Sequence, residues 1–277
     1  MFAAGYLLSY FRKTDNLPIA DLIIYITAPA LLLKSISSRS FEVGEVFIII
    51  LTVVFTIFVG LLALKLIRKR LSLSKALYLP IAFMNTGFIG VPVIMLTYGQ
   101  DGLSYAMIYD ACLAILVFTL GVYIVSEKKD LSGFFKIPLV YSAILAVFLN
   151  ISGIKIPYFI DTALSFLGNS TIPLALIMLG IRIEQTKIQS LTIPLFIAFM
   201  RAFLGLLCAL IIINIFHLSG LLANVLLIMS IMPSAITGIV FCELHSKKED
   251  CDVVASSIAA STIASFIYIP MLLYFIR

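Results

Sequence analysis

The sequence predicts an all-α polytopic membrane protein of about ten transmembrane helices, arranged as a 5+5 inverted repeat with broken, crossing helices 4 and 9. Three observations carry the prediction. The 277-residue chain is 62% hydrophobic and only 12% charged, whereas a soluble domain is roughly 45–50% apolar and about 25% charged. The apolar residues come in long unbroken runs, not in the strict alternation of a transmembrane barrel. A motif of the first half also returns in the second at a constant offset.

Apolar runs between charge clusters delimit ten segments, at 1–12, 18–36, 44–66, 74–98, 102–125, 134–152, 157–181, 190–215, 220–244 and 253–276. A hydrocarbon core of about 30 Å needs about 20 helical residues. The first segment reaches only about 18 Å at 1.5 Å per residue and is too short to cross alone. Loops after the odd segments hold fourteen of the nineteen Lys and Arg residues, in clusters at Arg12-Lys13, Lys65 to Lys75, Lys128 to Lys136, Arg182 to Lys187 and Lys247-Lys248. Basic residues stay on the cytoplasmic side. The odd loops are therefore placed in the cytoplasm of a multi-pass protein of the cell (plasma or inner) membrane, with both termini outside. The Lys65 to Lys75 cluster reads as a topology signal, not a lipid-binding patch.

The same distribution accounts for the net charge of +5 without nucleic acid. Cys112, Cys208, Cys242 and Cys251 show no CxxC spacing and read as packing residues, with no metal or cofactor framework. His217 and His245 fall at span ends, and no GxSxG, HExxH or phosphate-loop motif occurs. An intramembrane aspartyl protease is the remaining enzyme class, because of Tyr109-Asp110. It needs a second carboxyl at the same site, and no later apolar core contains one. The chain is read as a non-enzyme.

The repeat locates the site. Shifting Met84-Asn85-Thr86-Gly87-Phe88-Ile89-Gly90-Val91-Pro92 by 148 residues superimposes Met84 on Met232, Thr86 on Ser234, Gly87 on Ala235 and Gly90 on Gly238. A second echo, at a shift of 144, pairs Thr27-Ala28-Pro29 with Thr171-Ile172-Pro173. Five spans per copy is an odd number, so the copies enter the membrane from opposite sides, as in many secondary transporters. Gly87, Gly90 and Pro92 weaken segment four, and Pro233, Ser234, Thr237 and Gly238 weaken segment nine. Backbone groups freed there must face protein or a wet cavity. Counting 1.5 Å per residue places both breaks about 15–20 Å deep, near the midplane. Half-helix N-termini can hold an anion at such a crossing, and opposed carbonyls a cation. Asn85, Thr86, Ser234 and Thr237 add neutral donors and acceptors.

The run Asn85-Thr86-Gly87-Phe88-Ile89-Gly90-Val91-Pro92 resembles the auxin efflux carrier family. So do the stretch from Ile172-Pro173-Leu174 to Gly180, and Met232-Pro233-Ser234-Ala235 followed by Glu243 and by Ser261-Thr262 to Pro270. The resemblance is to the compact, prokaryotic-type form and implies a fold like that of bile-acid symporters and sodium/proton antiporters. It assigns residues 1–40 and 131–188 to scaffold helices 1–2 and 6–7, and residues 41–130 and 189–277 to transport-domain helices 3–5 and 8–10. It implies efflux of small organic anions by alternating access. The substrate-binding set would be Asn85, Thr86, Gly87, Gly90, Pro92, Pro233, Ser234, Ala235, Thr237 and Gly238. No cofactor is expected beyond coupling to Na⁺ or H⁺, and the partners are the anion, the bilayer and a second copy in a candidate homodimer.

Two ionisable residues lie deep in spans, where charge by default marks function. Asp110 is a candidate ion-coupling carboxyl or a carboxyl held by Tyr or backbone donors. Arg201 is a second coupling candidate: it attracts an anion, pairs with Asp110 or braces helices. A sodium or proton antiporter, or a sodium-coupled symporter of the same fold, is the alternative function. Glu243 and the charges from His245 to Asp250 are assigned to the cytoplasmic mouth.

Overall fold

The computed structural model describes residues 1–12, 14, 17–37, 42–70, 73–125, 138–185, 191–239, 242 and 248–276. Thirteen α-helices are named here among the described residues. The first four are α1 (Phe2–Arg12), α2 (Leu17–Leu22), α3 (Ala28–Ser37) and α4 (Val43–Arg68), and the next four are α5 (Tyr78–Ala82), α6 (Val91–Leu116), α7 (Val122–Val125) and α8 (Pro138–Ser152). Then come α9 (Tyr158–Asn169), α10 (Thr171–Gln185), α11 (Thr192–Ile215), α12 (Gly220–Ser230) and α13 (Lys248–Phe275). Single π-turns join α2 to α3 (Ile23–Thr27) and precede α6 (Thr86–Gly90).

Every apolar run of the sequence is helical, but the runs are not ten uniform rods. Among the described residues, six helices are long and apolar enough to cross a membrane, and Pro138–Ser152 and Gly220–Ser230 are shorter apolar helices. The reason is physical. Segment nine is interrupted inside its run, which leaves the short Gly220–Ser230, and segment four is interrupted so that its second half runs on into segment five as Thr86–Gly121. One of the six, Thr86–Gly121, turns at Gly99, whose φ of +62° is a left-handed conformation costly to any residue with a Cβ.

The helices form because lipid leaves the backbone no other partner. α4 is rich in Val, Ile and Thr, residues of modest helix propensity, yet it runs unbroken for 26 residues because every unpaired amide in hydrocarbon is expensive. Glu42 and Glu45 close a capping box at its start, and Lys65 and Arg68 sit in its last turn, where the helix dipole favours cations. Large apolar side chains point outward all round, including Phe58 at 60% exposure and Ile267 at 74%. In water such a surface would aggregate; in a bilayer it is the solvated face.

Packing divides the helices. α1 lies on α10, and α3 packs on α8 and α9, whereas α11 packs on α4, α5, α12 and α13. α1 comes close because Gly5 faces the backbone of Ile177, where a Cβ would stand 2.0 Å from the carbonyl oxygen. The two groups meet mainly where α3 touches α6 and where α10 touches the π-turn before α6. Lys34 of α3 and Asp161 of α9 form an ion pair within the first group. Cys242 and Cys251 are buried side by side in the apolar core as free cysteines, in keeping with a packing role. The mouth residues Glu243 to Lys247 lie outside the described residues.

Candidate functional site

The two interruptions cross and bind each other. Phe83 is extended (φ −108°, ψ 132°), and Asn85 is also non-helical (φ −87°, ψ 68°). Met84 and Ser234 form an isolated antiparallel β-bridge. Asn85 N–H donates to the Pro233 carbonyl at 2.7 Å, and Ala235 N–H donates to the Phe83 carbonyl at 2.9 Å. The backbone thus finds in the other break the partners that its own helix no longer supplies. The interruption falls just before the glycines that suggest it. Gly87 and Gly90 lie in the π-turn, closed by Gly90 N–H on the Asn85 carbonyl at 3.2 Å, and Pro92 occupies the first turn of α6. Proline is tolerated in a first turn, where the N–H has no helical partner.

Carbonyls at the C-terminal ends of the half-helices are closed off. Arg201, fully buried in α11, donates Nη1 to the Ile81 carbonyl at 3.3 Å, Nε to that of Met232 at 3.4 Å, and Nη2 to that of Ser230. Ser234 Oγ donates to the Pro80 carbonyl at 2.6 Å, and Tyr268 OH donates to that of Ile231 at 3.0 Å. With Pro233 held by Asn85, each carbonyl from Ser230 to Pro233 has a donor. A guanidinium suits this place because its fork spans several acceptors and its charge opposes two negative helix ends. Of the roles considered for Arg201, bracing matches the geometry. Its donors are spent on backbone and it does not line the cavity described below. Nor do the carbonyls named here offer a bare cation site.

α11 can deliver that guanidinium only because Gly205 lets it touch the end of α12. A Cβ there would stand 2.0 Å from the Ser230 oxygen and 2.7 Å from Arg201 Nη2. Gly205→Ala is therefore expected to cost about 1–3 kcal/mol through overpacking. The check is a reduced monodisperse fraction after heating in detergent.

The N-terminal side of the crossing remains open. A partly open cavity of about 90 Å³ is lined by Asn85, Thr86, Gly87, Asp110, Ala235 and Thr237, with an apolar wall that includes Ile23, Leu31, Met107 and Leu139. Asn85 Oδ1 caps the π-turn by accepting from Phe88 N–H at 3.3 Å, but its Nδ2, on a residue 3% exposed, has no hydrogen-bond partner among the described residues. Thr86 Oγ1 donates to Asp110 Oδ1 at 2.5 Å. Gly87 keeps this face close, since a Cβ would lie 3.2 Å from the same carboxylate oxygen.

Five of the ten expected binding residues therefore line the cavity: Asn85, Thr86, Gly87, Ala235 and Thr237. The other five do not. Gly90 packs against Met229 and Met232, Gly238 against Leu79, Pro92 starts α6, and Pro233 and Ser234 are spent on the bridge. Thr171 also lines the cavity. Its motif echo was visible in the sequence, although a single threonine in an apolar run carries no site signal.

A membrane-embedded helical protein whose two interrupted helices cross beside a cavity is built as membrane transporters are. The chain belongs to the membrane transport protein family, whose model matches residues 1–132 and 125–273; this is the auxin efflux carrier family that the motifs resemble. Among its relatives is an uncharacterized transporter of Methanocaldococcus jannaschii, 29% identical over 269 residues that span 91% of this chain and 86% of the relative. An uncharacterized transporter of Methanothermobacter thermautotrophicus is 28% identical over 198 residues, 69% of this chain and 64% of the relative.

Proposed function

We propose that the protein is a secondary efflux carrier of small organic anions, above all carboxylates, that works by alternating access at the crossing of its broken helices. The single observation that carries this reading is the unpartnered Nδ2 of Asn85, a residue that lines the cavity beside the start of a half-helix. A buried amide without a partner costs about 1–3 kcal/mol, and a carboxylate oxygen would relieve it. The polarity of the crossing agrees. Carbonyl ends are neutralised by Arg201 while the N-terminal side faces the cavity, which favours an anionic cargo over a cation held alone.

The inverted repeat supports movement. Asn85 bonds to Pro233, its own counterpart at the shift of 148, as expected where a two-fold relates two halves. The helices that pack with α11 form the transport domain, and those around α3 and α10 the scaffold. Asp110 is the coupling carboxyl for H⁺ or Na⁺. It also keeps a sodium or proton antiporter as the second reading, although its counterpart in the other half is the apolar Ile258. In the cell membrane, odd loops face the cytoplasm and both termini face outward.

The test is flux from proteoliposomes loaded with labelled mono- and dicarboxylates, with and without sodium and proton gradients. Wild-type protein is expected to release at least one monocarboxylate. Asn85→Ala removes the free donor, and Pro233→Ala lets α12 run on through the break. Both are expected to lower flux at least tenfold while eluting as monodisperse protein. Normal flux in either variant, or no carboxylate flux in the wild type, overturns the assignment.

A further inference from the structure

Six helical threonines in this protein follow one rule. Thr52, Thr56, Thr97, Thr119, Thr162 and Thr262 each donate their hydroxyl to the carbonyl four residues back, at 2.7–2.8 Å, the usual way a helix absorbs a buried hydroxyl. Thr27 and Thr171 do not. They are 2% and 4% exposed, and neither Oγ1 has a hydrogen-bond partner among the described residues. These are also the two residues that the second sequence echo superimposes, each two positions before a proline, Pro29 and Pro173.

Their surroundings differ in one respect. Thr171 lines the cavity, as Asn85 does. Thr27 does not, but Ile23, Ile24 and Leu31, three or four residues from it, do. An orphaned hydroxyl is costly wherever it is buried, and two left unpaired at repeat-related positions are tolerated where each is satisfied at some stage. In an inverted repeat the two halves exchange conformations as the carrier turns over, so a position that faces the cargo in one state passes that duty to its counterpart in the other.

Resting on the carrier reading above, we propose that Thr171 and Thr27 are alternating cargo contacts of the scaffold. The Thr171 hydroxyl bonds a polar atom of the cargo in the state seen here, and the Thr27 hydroxyl does so in the oppositely facing state. Asn85 travels with the moving domain and serves both. The cargo then presents at least two hydrogen-bonding atoms, one to Asn85 and one to a threonine, on an otherwise apolar body that fits the Ile23, Leu31 and Leu139 wall. A carboxylate supplies both acceptors.

The experiment needs no knowledge of the cargo. In a background with Cys112, Cys208, Cys242 and Cys251 replaced by Ser, single Thr171→Cys, Thr27→Cys and Asn85→Cys variants are exposed to the membrane-impermeant thiol reagent 2-sulfonatoethyl methanethiosulfonate, in spheroplasts and in inverted vesicles. Thr171→Cys is expected to label from one face only, Thr27→Cys from the opposite face only, and Asn85→Cys from both. Labelling of the two scaffold positions from the same face, or of neither, overturns the proposal. Labelling of Asn85→Cys from a single face counts instead against alternating access. As a second readout, Thr171→Val and Thr27→Val are expected to raise KM for labelled phenylacetate severalfold from opposite sides, with kcat kept and with Ser restoring each.

Discussion

Replacing Arg201 by Met is expected to destabilise the protein more than any other single change at the crossing, by about 3–5 kcal/mol, since each buried carbonyl left without a donor costs about 1–3 kcal/mol. Methionine fills much of the same space but donates nothing. The carbonyls of Ile81, Ser230 and Met232, now held by one guanidinium, would be left bare in a site from which Arg201 itself is fully shielded. A neighbouring hydroxyl cannot substitute: Tyr109 OH and Ser230 Oγ already bond each other at 3.1 Å, and Tyr268 OH is committed to Ile231. The fall in melting temperature in detergent is expected to be roughly 10 °C. Lys should rescue little, because a single ammonium cannot span three acceptors on two half-helices. An Arg201→Met protein that melts with the wild type would show that these carbonyls find other donors and that the brace is dispensable.

The division between what the sequence displays and what it conceals follows from the range of the interactions. The breaks were legible because Gly87, Gly90, Pro92 and Pro233 act on the chain beside them, and helix weakening is a local property. Their position was less so: the non-helical residues are Phe83 and Asn85, ahead of the glycines, because the other break pulls that backbone into a bridge. Arg201 declared itself by charge at depth. Its role did not, since its partners are main-chain carbonyls from α5 and the end of α12, and carbonyls have no sequence signature. The same holds for Pro233 and Ser234, whose helix-breaking character was visible while their commitment to backbone pairing was not. Thr171 was hidden for the opposite reason. A threonine in a helix normally satisfies itself, and only coordinates reveal the one that fails to.

The second large effect is expected at Asp110. An anionic cargo and an ionised Asp110 would share a cavity with no Lys, Arg or His in its lining among the described residues, and two like charges in a poorly solvated site strongly oppose each other. One must be neutralised before the domain moves. In the carrier reading, a proton or a sodium ion on Asp110 does this, held on the carboxylate that also accepts from Thr86. Higher pH, or removal of sodium, should therefore slow the wild type, by about tenfold per pH unit on the limb where one proton is required. Asp110→Asn makes the group permanently neutral with almost no change in shape. Flux down the cargo's own gradient is expected to persist and to become flat in pH and indifferent to sodium, while accumulation driven by either ion collapses to equilibrium. Counterflow in proteoliposomes separates the two quantities. An Asp110→Asn carrier that still concentrates cargo on an imposed gradient would remove the carboxyl from coupling and leave it as a partner of Thr86 alone.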